Sequence, residues 1–158
     1  MKAYILFVFL FIVSITFSQK VDRNGIVYTN PKSLFNELNG QWKVVSMSVE
    51  NFEVDCEKFE ESFLNQLKKN KIDSLSLREK LKLSCRNMNK QIISISKESM
   101  VQGRDTLHVK RDNNLKRNTL ITKTENKEFE LKIEIIDDNY FKLISAKKMW
   151  LKLKIIND

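Results

Sequence analysis

The chain has 158 residues, 42% hydrophobic and 30% charged, with a formal charge of +8, which is the size and balance of one solvated domain around a single core. Those values exclude a disordered chain and a polytopic membrane protein. One histidine and two cysteines are too few soft ligands for a zinc site or an iron–sulfur cluster, and three glycines leave no glycine-rich phosphate loop.

At the start, Met1-Lys2 carries a positive charge, Ala3 to Phe17 is almost unbrokenly apolar, and Thr16-Phe17-Ser18 places small residues three and one positions before a cut. This is the layout of a secretory signal peptide over residues 1–18, cleaved between Ser18 and Gln19. The competing reading is an uncleaved anchor, but the apolar run reaches only about 22 Å as a helix, short of a hydrocarbon core of about 30 Å. No cysteine follows the cut, so a lipid anchor is not indicated. The expectation is an exported, periplasmic or secreted, soluble monomer with no remaining membrane span, in which residues 19–158 form one domain. Without Lys2 the charge falls to +7. An anionic envelope polymer or lipid head group is a more natural counterpart for such a protein than nucleic acid. The scattered lysines also fit a plain solvated surface.

In chain order, Asn30-Pro31 marks a turn and Pro31 opens a short helix from Lys32 to Leu38, with Leu34, Phe35 and Leu38 on one side, ended by Asn39-Gly40. Trp42, Val44, Val45, Met47 and Val49 read as a strand from Gln41 to Val49. A helical insertion at about 53–89 follows. Asp55 is the expected N-cap, with Val54 stapled to Phe59, and Cys56, Phe59, Phe63 and Leu67 share one helical face. Ser76-Leu77-Arg78-Glu79 is a capping box for a second helix that stacks Leu77, Leu81, Cys85 and Met88. Together they predict an αα-hairpin.

From Gln91 the period changes to two. Ile93 and Ile95, then Leu107 and Val109 around His108, alternate with polar residues. Phe129, Leu131, Ile133 and Ile135 alternate against Glu128, Glu130, Lys132 and Glu134, and Met149, Leu151, Leu153 and Ile155 against Trp150, Lys152 and Lys154. Asn- and Asp-rich turns separate the runs. The predicted class is mostly β: an antiparallel up-and-down barrel with the αα-hairpin between its first and second strands. About seven strands are visible where eight would close the barrel, and Leu115 to Thr124 is the place for a further one. The alternative is another antiparallel sheet packed on the hairpin.

Cys56 begins the first helix and Cys85 ends the second, so an antiparallel hairpin makes them neighbours, and export makes them a structural disulfide. A redox pair is disfavoured because no C-x-x-C is present.

Gly40-Gln41-Trp42 stands at the entrance to the first strand after a short helix, ahead of a strand meander. This G-x-W resembles the motif of lipocalins and of smaller bacterial lipocalin-like envelope domains. The resemblance covers residues 32–49 and 91–155, without the helical insertion. It implies that Gly40 permits a tight turn, that Trp42 plugs the closed end, and that a basic side chain of the last strand, Lys152 or Lys154, packs over Trp42. The chain departs from the family in lacking a second motif and in carrying Lys where Arg is usual. The barrel implies a small apolar or amphipathic ligand, with Trp42, Val44, Phe129, Leu131, Ile133 and Ile135 as its candidate wall. An envelope structural or protein-interaction module with a filled core is the alternative.

No residue set meets the requirements of a catalyst. His108 falls on the solvated face with no nucleophile in a recognisable context, and Asp137-Asp138 is a turn. The expectation is a protein without enzymatic activity, cofactor or metal.

Overall fold

The computed structural model describes residues 24–49, 52–70, 75–124, 127–145 and 149–156; the expected signal segment and its cleavage point lie outside the described residues. Among the described residues, ten strands and two α-helices follow one another: β1 (Asn24–Thr29), a 3-10 helix (Leu34–Glu37), β2 (Gly40–Val49), β3 (Phe52–Asp55), α1 (Phe59–Asn70), α2 (Leu75–Asn89), β4 (Ile92–Ile95), β5 (Ser99–Gln102), β6 (Asp105–Arg111), β7 (Thr119–Thr124), β8 (Lys127–Asp137), β9 (Tyr140–Ser145) and β10 (Trp150–Ile155). The sheet order is β10-β9-β8-β7-β1-β6-β5-β4-β2-β3, and a further β10–β2 pairing closes nine strands into a barrel. β3 prolongs the wall above β4, because β2 pairs with β4 through residues 40–43 and with β3 through residues 46–49.

The barrel is mixed, which corrects the purely antiparallel up-and-down expectation. β1 inserts between β6 and β7, antiparallel to β7 and parallel to β6. A strand placed between two mutually antiparallel neighbours must run parallel to one of them, and an odd number of strands cannot close without such a pair. The insertion is tight: a Cβ on Gly25 would lie 2.6 Å from Leu107 Cδ2 and 2.8 Å from the Lys123 carbonyl oxygen. The strand sought between Leu115 and Thr124 is β7. The short helix is a single 3-10 turn, with Ser33 as N-cap accepting from the Phe35 N–H at 3.2 Å.

The helices follow β3 rather than the first strand, because β1 and β3 both precede them. They leave and rejoin the wall where β2 changes neighbour from β3 to β4. Phe59, Phe63, Leu81, Cys85 and Met88 turn from α1 and α2 into the same core as Met47, Phe52 and Val54. Phe63 stacks on Phe59 at 5.5 Å and meets Phe52 at 5.2 Å. Asp55 is the last residue of β3, and its carboxylate accepts from the Glu57 and Lys58 N–H groups to turn the chain into α1. Cys56 and Cys85 form a disulfide with Cα atoms 5.0 Å apart, tying the end of β3 to the last turns of α2. Among the described residues no cysteine is free, and no helix is long and apolar enough to cross a membrane.

Closing a loop of sequence separation 29 stabilises the fold by about 3–4 kcal/mol in the chain-entropy description. The paired Cys56→Ser and Cys85→Ser variant therefore loses stability of that size in urea unfolding. Alkylation without reductant leaves the native mass unchanged. Glu60 also joins the two helices, bound by Lys82 at 2.5 Å and Arg78 at 2.7 Å. These two hydrogen bonds, that of Lys82 first, hold its carboxyl below the usual carboxylate value. The stabilising contribution is thus complete above the unfolded-state value and is lost as pH falls through the lower folded one. An NMR titration of the Glu60 carboxyl shows a depressed midpoint, and Lys82→Gln raises it.

Candidate functional site

Strand pairing decides which side chains enter the barrel, since paired residues share a face and neighbours along a strand alternate. Followed around the wall, one face collects Trp42 and Val44 on β2, Ile93 and Ile95 on β4, Met100 on β5, Leu107 and Val109 on β6, and Val27 and Thr29 on β1. It continues with Leu120 and Thr122 on β7, Phe129, Leu131, Ile133 and Ile135 on β8, Phe141, Leu143 and Ser145 on β9, and Leu151 and Leu153 on β10. All six candidate wall residues, Trp42, Val44, Phe129, Leu131, Ile133 and Ile135, therefore lie on the inner face.

They are not equally enclosed. Trp42, Val44 and Ile133 are buried to 3% exposure or less, together with Phe141, Leu153, Ile93 and Leu120. Phe129, Leu131 and Ile135 are half-buried, as are Met100, Leu107 and Leu143. One part of the barrel is packed solid while inward apolar groups of β5, β6, β8 and β9 remain accessible. Among them sits Ser145, opposite Leu131 in the ladder, whose buried Oγ has no hydrogen-bond partner among the described residues. An unpaired buried hydroxyl costs about 1–3 kcal/mol. Neither this hydroxyl nor the accessible side of the wall is legible from the sequence, because both depend on how far packing fills the interior.

At the packed end, the G-x-W segment behaves as a unit. Gly40 has φ +145°, a region that disfavours any side chain. Trp42 donates from Nε1 to the Leu38 carbonyl oxygen at 2.8 Å and sets its ring edge-on to Phe141 at 4.7 Å. The 3-10 helix is thus bound directly to the buried indole. Lys152 and Lys154 do not cover Trp42. They stand 4.5 and 5.8 Å from the Tyr140 ring on the outer face. Alternation forces this outcome, since inward Leu151 and Leu153 turn both lysines out. A basic residue that braces this end is Arg111 of β6. It donates to Thr29 Oγ1, Asn36 Oδ1 and the Lys97 carbonyl oxygen at 2.7–2.9 Å, joining β1, the 3-10 helix and the β4–β5 turn. Its position at the end of an alternating strand, followed by Asp-Asn-Asn, carried no signal for that role.

His108 is exposed, and among the described residues no group of three or more acidic, histidine or cysteine side chains could hold a metal ion. Compared with known protein families, curated proteins and solved structures, the chain matches none of them.

Trp42→Ala removes the buried indole and its hydrogen bond, and is expected to lower unfolding free energy by about 3–5 kcal/mol in denaturant titration. Gly40→Ala loses about 1–3 kcal/mol through backbone strain alone. Its added Cβ would meet Ile155 Cδ1 at 3.6 Å, an ordinary contact.

Proposed function

We propose that this is an exported, non-enzymatic lipocalin-like protein that holds a small apolar or amphipathic molecule within the open part of its barrel. The observation that carries this reading is the half-accessible inward apolar wall of Met100, Leu107, Phe129, Leu131 and Leu143 beside the Ser145 hydroxyl, which has no partner among the described residues. Apolar lining with a few oriented polar groups is the usual make-up of a small-molecule site. A ligand bearing one acceptor or donor would satisfy Ser145 while its apolar body covers the wall. The glycine-then-tryptophan plug with its preceding helical turn supports the lipocalin-like assignment, and the disulfide fits an oxidising compartment outside the cytoplasm.

A second reading, an envelope structural or protein-interaction module with a filled core, is favoured by Leu64 and Leu83 on the helices, exposed to 55% and 51%. Titration with an anilinonaphthalene fluorophore separates the two. Ligand binding predicts saturable one-site fluorescence that Leu131→Trp, which fills the wall, weakens about tenfold or more while near-ultraviolet circular dichroism stays native-like. Absence of saturable binding, or equal binding by Leu131→Trp, favours the filled core.

A further inference from the structure

A groove of about 390 Å³ opens on the outside of the barrel, between the outer face of β2 and β3 and the helix α1, and uses none of the inward wall residues. Alternation sets its acidic side. Phe52 and Val54 of β3 are buried in the core, so Glu53 and Asp55 turn outward, about 6.8 Å apart along the strand. In the ladder Ser46 of β2 lies between Asp55 of β3 and Lys152 of β10. The lysine backbone is therefore two strand spacings from that acid, about 9.6 Å. Its ammonium rests 4.5 Å from the centre of the Tyr140 ring, on the β9 side of the groove. No ion pair joins Lys152 to a described acid.

Each acid of the groove keeps an unused oxygen. Asp55 accepts the Glu57 and Lys58 N–H groups through Oδ1 alone, and Glu57 receives Lys43 on Oε1 alone. The Glu53 carboxylate has no partner among the described residues. Ser46 is only 8% exposed, and its hydroxyl, in the groove wall, likewise has no described partner. Such a group is costly to leave unbonded. Ser62 and Gln66 of α1 are already engaged, Ser62 Oγ accepting from the Asp55 N–H. The set calls for an occupant that donates N–H groups and brings positive charge. An anion would meet three carboxylates, and the lysines farther off are screened beyond about 8 Å at physiological ionic strength. A metal ion does not suit it, because among the described residues no three acidic side chains converge to hold one. Two ammonium groups joined by a short alkyl chain match the spacing of Glu53 and Asp55. The volume also falls in the range of about 300–1,000 Å³ of small-molecule sites.

We infer that the groove between β3 and α1 binds a small aliphatic diamine, one ammonium on Asp55 and Ser46 and the other on Glu53. Calorimetric titration of the purified protein with 1,4-diaminobutane tests this, with 1-aminobutane, magnesium chloride and a tetraarginine peptide as the other arms. The expected result is saturable binding of the diamine, about tenfold weaker binding of the monoamine and none of magnesium. Glu53→Gln weakens diamine binding about fivefold, the upper range for an exposed charge pair, and Ser46→Ala weakens it severalfold. Glu61→Gln, an exposed acid of α1 outside the groove, leaves it unchanged. Lys152→Gln tightens binding about twofold or more, the opposite sign to that of an anion site. Near-ultraviolet circular dichroism verifies that each variant keeps the fold. No saturable binding of the diamine, equal affinity for the monoamine, equal losses in the Glu53 and Glu61 variants, weaker binding by Lys152→Gln, or preference for the peptide overturns the proposal.

Discussion

Closure of the sheet by β10 against β2 is the constraint on which the remaining structure rests. A strand with one apolar face is stable only where that face is covered, and a closed wall covers every such face with the others. The pairing joins Leu153 to Val44 and Leu151 to Met47, bringing inward residues from opposite ends of the chain into one core. A register shift between Lys152 and Leu153 lets the two strands keep this match along their length. Were the closing ladder displaced by one residue, lysines would enter the core and leucines face water.

Three additions are fitted to that closed wall. The first is β1, which makes the barrel mixed and brings fully buried Val27 and Thr29 into the interior. The second is the 3-10 turn, held by the Trp42 indole from within and by Arg111 from the side. The third is the helical pair, which enters where β2 changes neighbour and is secured there by a disulfide and by aromatic packing. Each addition is anchored by contacts far apart in sequence.

The outer face obeys a different logic. Buried aromatic residues such as Phe141 and Trp42 pack on each other, whereas Tyr140 and Trp150, displaced by one position in the alternation, pack beneath ammonium groups. The same period-two pattern thus builds a dry interior and a surface of fixed charge from adjacent residues of two strands.

The sequence by itself determined the faces. Phe129 to Ile135 and Leu151 to Ile155 alternate so regularly that their inward and outward sides follow from local geometry. The Cys56–Cys85 pair is expected from two helical faces meeting, but Cys56 stands between β3 and α1, so the bond joins the end of β3 to α2. Lys152 and Lys154 follow outward from the alternation of their strand, against the cover over Trp42 that the resemblance implies. Only the tertiary structure decided that β1 enters between β6 and β7, that Arg111 and not a lysine of the last strand braces the Trp42 end, and that Leu131 stays half-accessible while Ile133 is buried. Those outcomes depend on pairings between residues distant in the chain and on how completely the enclosed volume is filled, and neither quantity is written in any local periodicity.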